Sequence, residues 1–197
     1  MKYRIVLASG SPRRKEILAQ IGASYEVIVS DCDESTTVTE PAELVKELSY
    51  RKAEAVVKDL TGPVLVIGAD TVVAYNGSIL GKPKDRADAK RMISMLENDT
   101  HQVYTGVSLI IKEETGECNV ITFAECSEVS VDAMTDRQIE EYLNTREGED
   151  KAGSYAIQGL FSPYIKGILG DYNNVVGLPV ARIYQEIKKL GLVITND

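Results

Sequence analysis

The chain has 197 residues, 44% of them hydrophobic, enough to build one globular domain, or two small lobes on a shared core, without a cofactor or staple. A formal charge of -8 argues against a general nucleic-acid binder, whose affinity rests on clustered Lys and Arg, so an anionic substrate must be met by a local basic patch. One histidine and no tryptophan remove multi-histidine zinc sites and leave a single possible base for a nucleophile triad; oxygen ligands and hard cations remain.

In chain order, Tyr3 to Ala8 is an apolar run suited to a buried strand, and Pro12 opens a helix with Ile17, Leu18 and Ile21 on one face, ended by Gly22. Tyr25 to Val29 reads as a second strand. Glu40-Pro41 begins a longer helix whose apolar positions are Leu44, Val45, Leu48, Val56 and Val57, and Pro63 introduces the most hydrophobic strand, Val64 to Ile67. Asn76-Gly77, between Thr71–Tyr75 and Ser78–Leu80, marks a two-residue hairpin, because a type I′ turn wants positive φ at both central positions. A helix follows over about Ala87 to Leu96. Val103, Thr105, Val107, Leu109 and Ile111 share one side of a period-two segment that pairs antiparallel with Asn119–Val131 across Glu114–Glu117. Ile139, Tyr142 and Leu143 predict a helix after Thr135, and Val180 to Leu190 a terminal one. With no repeat, low-complexity tract or linker, residues 1–197 read as a single mixed α/β domain, a twisted sheet flanked by helices with a cleft between two lobes.

No stretch reaches the ~18 apolar residues of a membrane span, and the apolar run near the first residue is too short for a signal segment. Cys32, Cys118 and Cys126 form an odd set without C-x-x-C spacing, as expected of free thiols in a reducing compartment. The expectation is a cytoplasmic protein with no nucleic-acid or membrane partner.

The chemistry-bearing residues fall in a few segments. At a strand-to-helix junction lies ASGSPRR, where backbone N–H groups and the helix dipole favour an anion; Ser9 and Ser11 add hydroxyls, and Arg13 and Arg14 add guanidinium forks. Ser11 could equally be a plain N-cap, but two arginines oppose the dipole there and so suggest an anionic partner. Asp70, in VIGADT, stands at the end of the apolar strand, where a carboxylate can bind Mg²⁺ or accept a proton from water, or simply satisfy a turn. Asp31, Asp33 and Glu34 form an acidic loop that is mostly solvated but could supply a further ligand. Lys52 and Lys82 are isolated cations, the latter aimed by Pro83. The glycine-punctuated stretches 151–159 and 170–179 suit loops approaching a ligand, or structural turns. His101, before a strand, reads as a structural hydrogen-bonder. Together, the residue types describe a site for a polyphosphate with its metal.

At these segments the sequence resembles the Maf family of nucleotide pyrophosphatases: ASGSPRR, GADT, LGKP, HQVYTG, KAGSYAIQG and GDYNNVVGLP recur in the family's order from Leu7 to Pro179. The resemblance implies a two-lobed α/β fold similar to inosine triphosphate pyrophosphatases, often a homodimer, with Asp70 as proton acceptor. Glu34 and Asp70 would lie near a divalent cation, Mg²⁺ or Mn²⁺. Ser9, Arg13, Arg14, Lys52, Lys82 and Gln158 match family site positions, and Arg13, Thr71 and Gln158 fit the branch similar to dTTP and UTP pyrophosphatases. The implied reaction is cleavage of the triphosphate to monophosphate and pyrophosphate. Ser154, where alanine is frequent, and Phe161-Ser162-Pro163-Tyr164 depart from the family pattern. Two other functions are open to the same residues: a nucleotide-sensing regulator of septum formation, and a phosphatase removing the terminal phosphate.

Overall fold

The computed structural model describes residues 3–195. Its elements are β1 (Arg4–Leu7), α1 (Pro12–Gln20), β2 (Glu26–Val27), α2 (Pro41–Val57), β3 (Val64–Tyr75), β4 (Ser78–Leu80), α3 (Arg86–Leu96), β5 (Thr100–Lys112), β6 (Cys118–Val131), α4 (Asp136–Asn144), β7 (Ile165–Leu169), α5 (Tyr172–Val176) and α6 (Val180–Lys189). The strands form one mixed sheet in the order β2-β1-β3-β5-β6-β7, with β4 paired to β3, and helices complete the expected mixed α/β architecture. The contacts divide the chain into two compact units. The first contains the residues up to Asp70, Thr105–Glu125 and those from Gly177 onward; the second contains Thr71–Tyr104 and Cys126–Val176. The long strands β3, β5 and β6 pass through both.

In the first unit β1 pairs parallel with β2 and with β3, Arg4 opposite Val64 and Leu7 opposite Ile67. Parallel pairing needs covered faces, and Val64 to Asp70 are buried without a break. Val6, Ala8, Val64 and Val66 of the sheet pack with Ala53, Val56 and Val57 of α2. Two glycines decide how closely α2 sits. A Cβ on Gly68 would lie 2.2 Å from the Ser49 carbonyl oxygen, and one on Gly106 would lie 2.1 Å from that of Val45. Side chains at either position would push the helix off the sheet. Beneath α2, the Ser49, Ser108 and Thr122 hydroxyls form a chain with 3.0 and 2.9 Å separations. On α6, Arg182 lies over the Phe123 ring at 4.4 Å and donates to Glu125.

The second unit holds the hairpin of β3 and β4, which turns at Asn76 (φ 47°) and Gly77 (φ 74°) as its sequence requires. Its core gathers Ile93 and Leu96 of α3, Ile139, Tyr142 and Leu143 of α4, and Phe161, which is fully buried against Tyr142, Tyr155 and Tyr164. α4 begins with a capping box, in which Thr135 accepts from the Gln138 N–H while the Gln138 side chain accepts from the Thr135 N–H. β5 and β6 form the expected antiparallel hairpin: Thr100 meets Ser130, Ser108 meets Thr122, and Glu113 N–H closes the turn on Glu117 O.

Four sequence expectations change. The second strand, expected over Tyr25–Val29, keeps only Glu26–Val27; it ends the sheet order, and Val29 is 65% exposed. The strand expected to stop at Ile67 runs on to Tyr75, because Gly68 serves the approach of α2 rather than a break, so Asp70 sits within a strand and not at its end. β7 was not anticipated; Lys166-Gly167 interrupts its apolar residues and leaves no period to read. The 170–179 stretch is partly helical, and its amides serve the fold. Asn174 is buried and donates to Val103 O (3.0 Å) and Ser127 Oγ (2.9 Å), while Asp171 N–H donates to the same hydroxyl.

Candidate active site

In the first unit β1 delivers Ser9, 7% exposed, to the start of α1. Its Oγ accepts from the Ser11 N–H (3.2 Å) and from Arg14 Nη1 (3.1 Å), and Arg14 Nε donates to the Gly177 carbonyl (2.8 Å). The guanidinium is therefore held from two sides, by the motif that begins the chain and by the one that precedes α6. Burial pulls the Arg14 pKa down, and the nearby Asp70 and Glu34 charges push it back up while Arg13 lowers it. An arginine remains a cation under such opposing influences. Ser11 occupies the N-cap position of α1 without making a side-chain cap bond, so its hydroxyl is not spent on the helix. The first turn of α1 contains no acidic residue, and Arg13, half-buried, has no hydrogen-bond or ion-pair partner among the described residues. A helix N-terminus with orphan N–H groups, two guanidiniums and no compensating carboxylate of its own is built for an anion.

The acidic half of the site follows from the close seating of α2. Gly68 packs under Ser49 and Ala53; Asp70, two residues on, shares that face of β3, and Lys52 immediately precedes Ala53. Lys52 Nζ donates to Asp70 Oδ1 at 2.6 Å and lies 3.2 Å from Glu34 Oε1. The Lys52 and Asp70 side chains are 14% and 12% exposed, so this pair is screened far less than a surface salt bridge. Glu34 stays 57% exposed, its loop fixed from beneath by Arg51, which donates to the Asp33 and Ser35 carbonyls and pairs with Glu47. Asp33 turns inward on its own loop, accepting from the Ser35 N–H, and this hydrogen bond holds its carboxyl below the usual range.

Asp70 and Glu34, both within reach of one ammonium, form an oxygen-donor pair suited to a hard divalent cation. No group of three or more His, Cys, Asp or Glu converges among the described residues, so a cation here would complete its shell with water and substrate oxygens, as Mg²⁺ commonly does.

The other expected residues belong to the second unit. Lys82 is exposed after β4 and has no partner among the described residues, while the neighbouring Gly81 carbonyl accepts from the Gly153 N–H (3.1 Å). Thr71 is half-buried on β3. Gln158 is exposed in a turn and makes no hydrogen bond among the described residues. His101 is fully buried, with Nε2 2.7 Å from the Tyr155 hydroxyl, and burial lowers its pKa to about 4. It is a neutral structural partner.

Sequence reasoning brought together Ser9, Arg13, Arg14, Glu34, Lys52 and Asp70. It missed the residues that support them: Gly68 and Gly106, which seat α2; Arg51, which holds the Glu34 loop; and Gly177, whose carbonyl orients Arg14. A glycine inside an apolar strand is the signal that could have found the first two.

The pattern of the Maf-like protein family matches residues 4–190. A relative from Lachnoclostridium phytofermentans named dTTP/UTP pyrophosphatase is 50% identical over 195 residues, 99% of each chain. One of the same name from Agathobacter rectalis is 51% identical over 201 residues, spanning 96% of this chain and 98% of its own, and one from Bacillus anthracis is 43% identical over 194 residues, 98% of each. Among solved structures, the Ham1 protein of Staphylococcus aureus is a loose likeness, with TM-score 0.38 and 19% identity over 64% of this chain and 72% of its own. With a family match from Arg4 to Leu190 and relatives alike over nearly their whole length, the chain belongs to the Maf-like protein family.

Proposed function

We propose that this protein is a nucleoside triphosphate pyrophosphatase that hydrolyses dTTP and UTP to the monophosphate and pyrophosphate. The observation that carries this reading is the Asp70–Lys52–Glu34 group set beside the half-buried Arg14 at the head of α1, a carboxylate-and-cation site of the kind a metal-bound triphosphate needs. The names of relatives at 43 to 51% identity support the choice of nucleotide.

In this reading Arg13, Arg14 and the Ser9–Ser11 backbone receive phosphate oxygens, and Lys52 holds the Asp70 carboxylate in place. Asp70 accepts the proton of the water whose oxygen bonds to the α-phosphorus as the bridging oxygen leaves with pyrophosphate. A divalent cation, Mg²⁺ or Mn²⁺, bound through Asp70 and Glu34 would supply Lewis-acid neutralisation of the phosphate charge. Lys82, in the motif LGKP, is a further candidate phosphate-binding cation. Gln158 offers a donor and an acceptor to the pyrimidine base edge, with Thr71 as a further contributor to selectivity. The whole chain acts as one Maf-like domain. No helix among the described residues is long and apolar enough to cross a membrane, and Cys32 and Cys118 are free thiols; a cytoplasmic setting and a homodimeric assembly belong to the same proposal.

The test is product analysis with dTTP, UTP, CTP and GTP in Mg²⁺ and in Mn²⁺. Monophosphate and pyrophosphate formed preferentially from dTTP and UTP is the expected result. Orthophosphate and diphosphate products would overturn the position of cleavage, and tight binding without turnover would replace the enzyme with a nucleotide sensor.

A further inference from the structure

In the second unit the turn at 157–161 carries Gln158 on its exposed crest, and its stem is firmly anchored. Phe161 is fully buried among Tyr142, Tyr155 and Tyr164, and the Tyr155 hydroxyl meets His101 at 2.7 Å. The crest has one side-chain hydrogen bond among the described residues: the Leu160 N–H donates to Glu147 Oε1 at 3.0 Å. The same carboxylate lies directly against Gly159, where a Cβ would fall 2.0 Å from Oε1 and 2.4 Å from Cδ. The glycine of the IQG motif is thus the residue that lets a carboxylate seat under the turn.

Glu147 is itself aimed by its surroundings. The chain leaves α4 through Arg146 in the left-handed region (φ 62°), which turns the next residue back toward the unit, and the Glu147 N–H donates to Thr145 Oγ1 at 3.2 Å. Its Oε2 is buried without a hydrogen-bond partner among the described residues. Close by is the Tyr142 phenol, whose pKa burial, and then the Glu147 charge, push above its ordinary range, so that it stays a neutral hydroxyl beside the carboxylate. A partly desolvated carboxylate aimed at the backbone beside an exposed, otherwise unbonded glutamine is more than an incidental surface charge requires.

The geometry points to Glu147 as a positioning residue that latches the 157–161 turn and thereby presents Gln158, making it a determinant of base selectivity that does not itself touch the nucleotide. This rests on the reading of Gln158 as the base-contacting residue. A latch of this kind preorganises the amide, so its loss acts on nucleotide binding rather than on the chemical step.

The experiment compares wild type, Glu147→Ala, Glu147→Gln, Gln158→Ala and the Glu147→Ala/Gln158→Ala double variant, by kcat/KM for UTP against CTP and by amide hydrogen exchange of the peptide containing Leu160. Glu147→Ala should speed exchange at Leu160 and reduce the UTP preference roughly tenfold through KM, as expected for one lost specific hydrogen bond. Glu147→Gln, which keeps an acceptor oxygen, should restore both. In the Gln158→Ala background Glu147→Ala should cause no further loss of preference, because the two act through one contact. Should Glu147→Ala fail to fold, Glu147→Asp withdraws the acceptor by one methylene and serves the same comparison.

Unchanged exchange at Leu160 in Glu147→Ala would overturn the latch. Equal losses for UTP and CTP, or additive losses in the double variant, would overturn its role in selectivity. If Gln158→Ala alone leaves the preference intact, the base-reading assignment fails and the selectivity role falls with it, while exchange at Leu160 still decides whether the latch exists.

Discussion

The two units treat their candidate functional groups in opposite ways. In the first, Arg14 is tied to Ser9 and Gly177, Lys52 to Asp70 and Glu34, and the Glu34 loop to Arg51. In the second, Lys82 at a bend and Gln158 on a turn are exposed and without partners among the described residues. For Gln158 the difference follows from what each group would have to do. Groups that meet charge building up at a reacting centre act best when already fixed in a partly dry site, where no reorganisation is needed at the moment of reaction. Groups that choose among ligands can sit on loops, provided a rigid stem holds them, and Phe161, Tyr155 and Glu147 make such a stem.

This contrast can be broken at several points, the largest in the first unit. Asp70→Asn should lower pyrophosphate release by ~10²–10⁴-fold, as for loss of a general base, with nucleotide binding retained by calorimetry. Unchanged turnover would remove Asp70 from the chemistry. Gly68→Ala forces a Cβ to within 2.2 Å of the Ser49 carbonyl oxygen, so α2 must lift and carry Lys52 away from Asp70. A loss of about 1–3 kcal/mol in stability, visible as a lower Tm, should accompany reduced turnover. Gly81→Ala in the second unit meets nothing within 4 Å and should change neither, which makes it the matched control.

Within the second unit, His101 predicts a pH effect confined to folding. Its pKa is about 4 in the folded protein against an ordinary 6.5, so between these values the unfolded chain holds a proton that the native state does not. The stability it contributes is therefore present above pH 6.5 and is lost as pH falls toward 4, by roughly 2–3 kcal/mol. Denaturant midpoints at pH 7 and pH 4.5 should diverge less in His101→Gln than in wild type; equal divergence would show that His101 charges without cost. The smallest effect is expected at Ser154, whose Oγ is buried without a partner among the described residues. Ser154→Ala should raise stability by about 1 kcal/mol in thermal unfolding with UTP hydrolysis unaltered, and a fall in Tm would mean that the hydroxyl is bonded after all.

How much of this was legible in the sequence varies with the range of the forces involved. Pro12 at the first position of α1, the Asn76-Gly77 turn and the helix that begins after Thr135 each depend on a few neighbouring residues, and each stands where the local pattern put it. The expected second strand shrank because pairing depends on a neighbour that the local run does not specify, and β7 escaped because Lys166-Gly167 interrupts its apolar residues and leaves no apolar period to read. Among site residues, the types at Ser9, Arg14, Lys52 and Asp70 indicated phosphate chemistry, yet nothing in Tyr50-Arg51-Lys52-Ala53 marks Lys52 as the cation that reaches Asp70. That follows from Gly68 and Gly106, which let a helix backbone rest on a strand. Glu147 was invisible for a similar reason: its partner, the Leu160 N–H, lies 13 residues away, and a backbone donor has no sequence signature.

By itself, then, the sequence determined every α-helix but the short α5, the hairpins, the chemical classes of the candidate groups and, through its ordered motifs, the family. Those properties arise from local backbone preferences and residue types, which act over a few positions. The tertiary structure alone decided which charges pair, that Asp70 lies within a continuing strand, that the 170–179 amides serve the core, and that Glu147 sits against Gly159 and the Leu160 N–H. Each of these depends on close approach between distant segments, and an approach measured in ångströms is set by the packing of the whole unit.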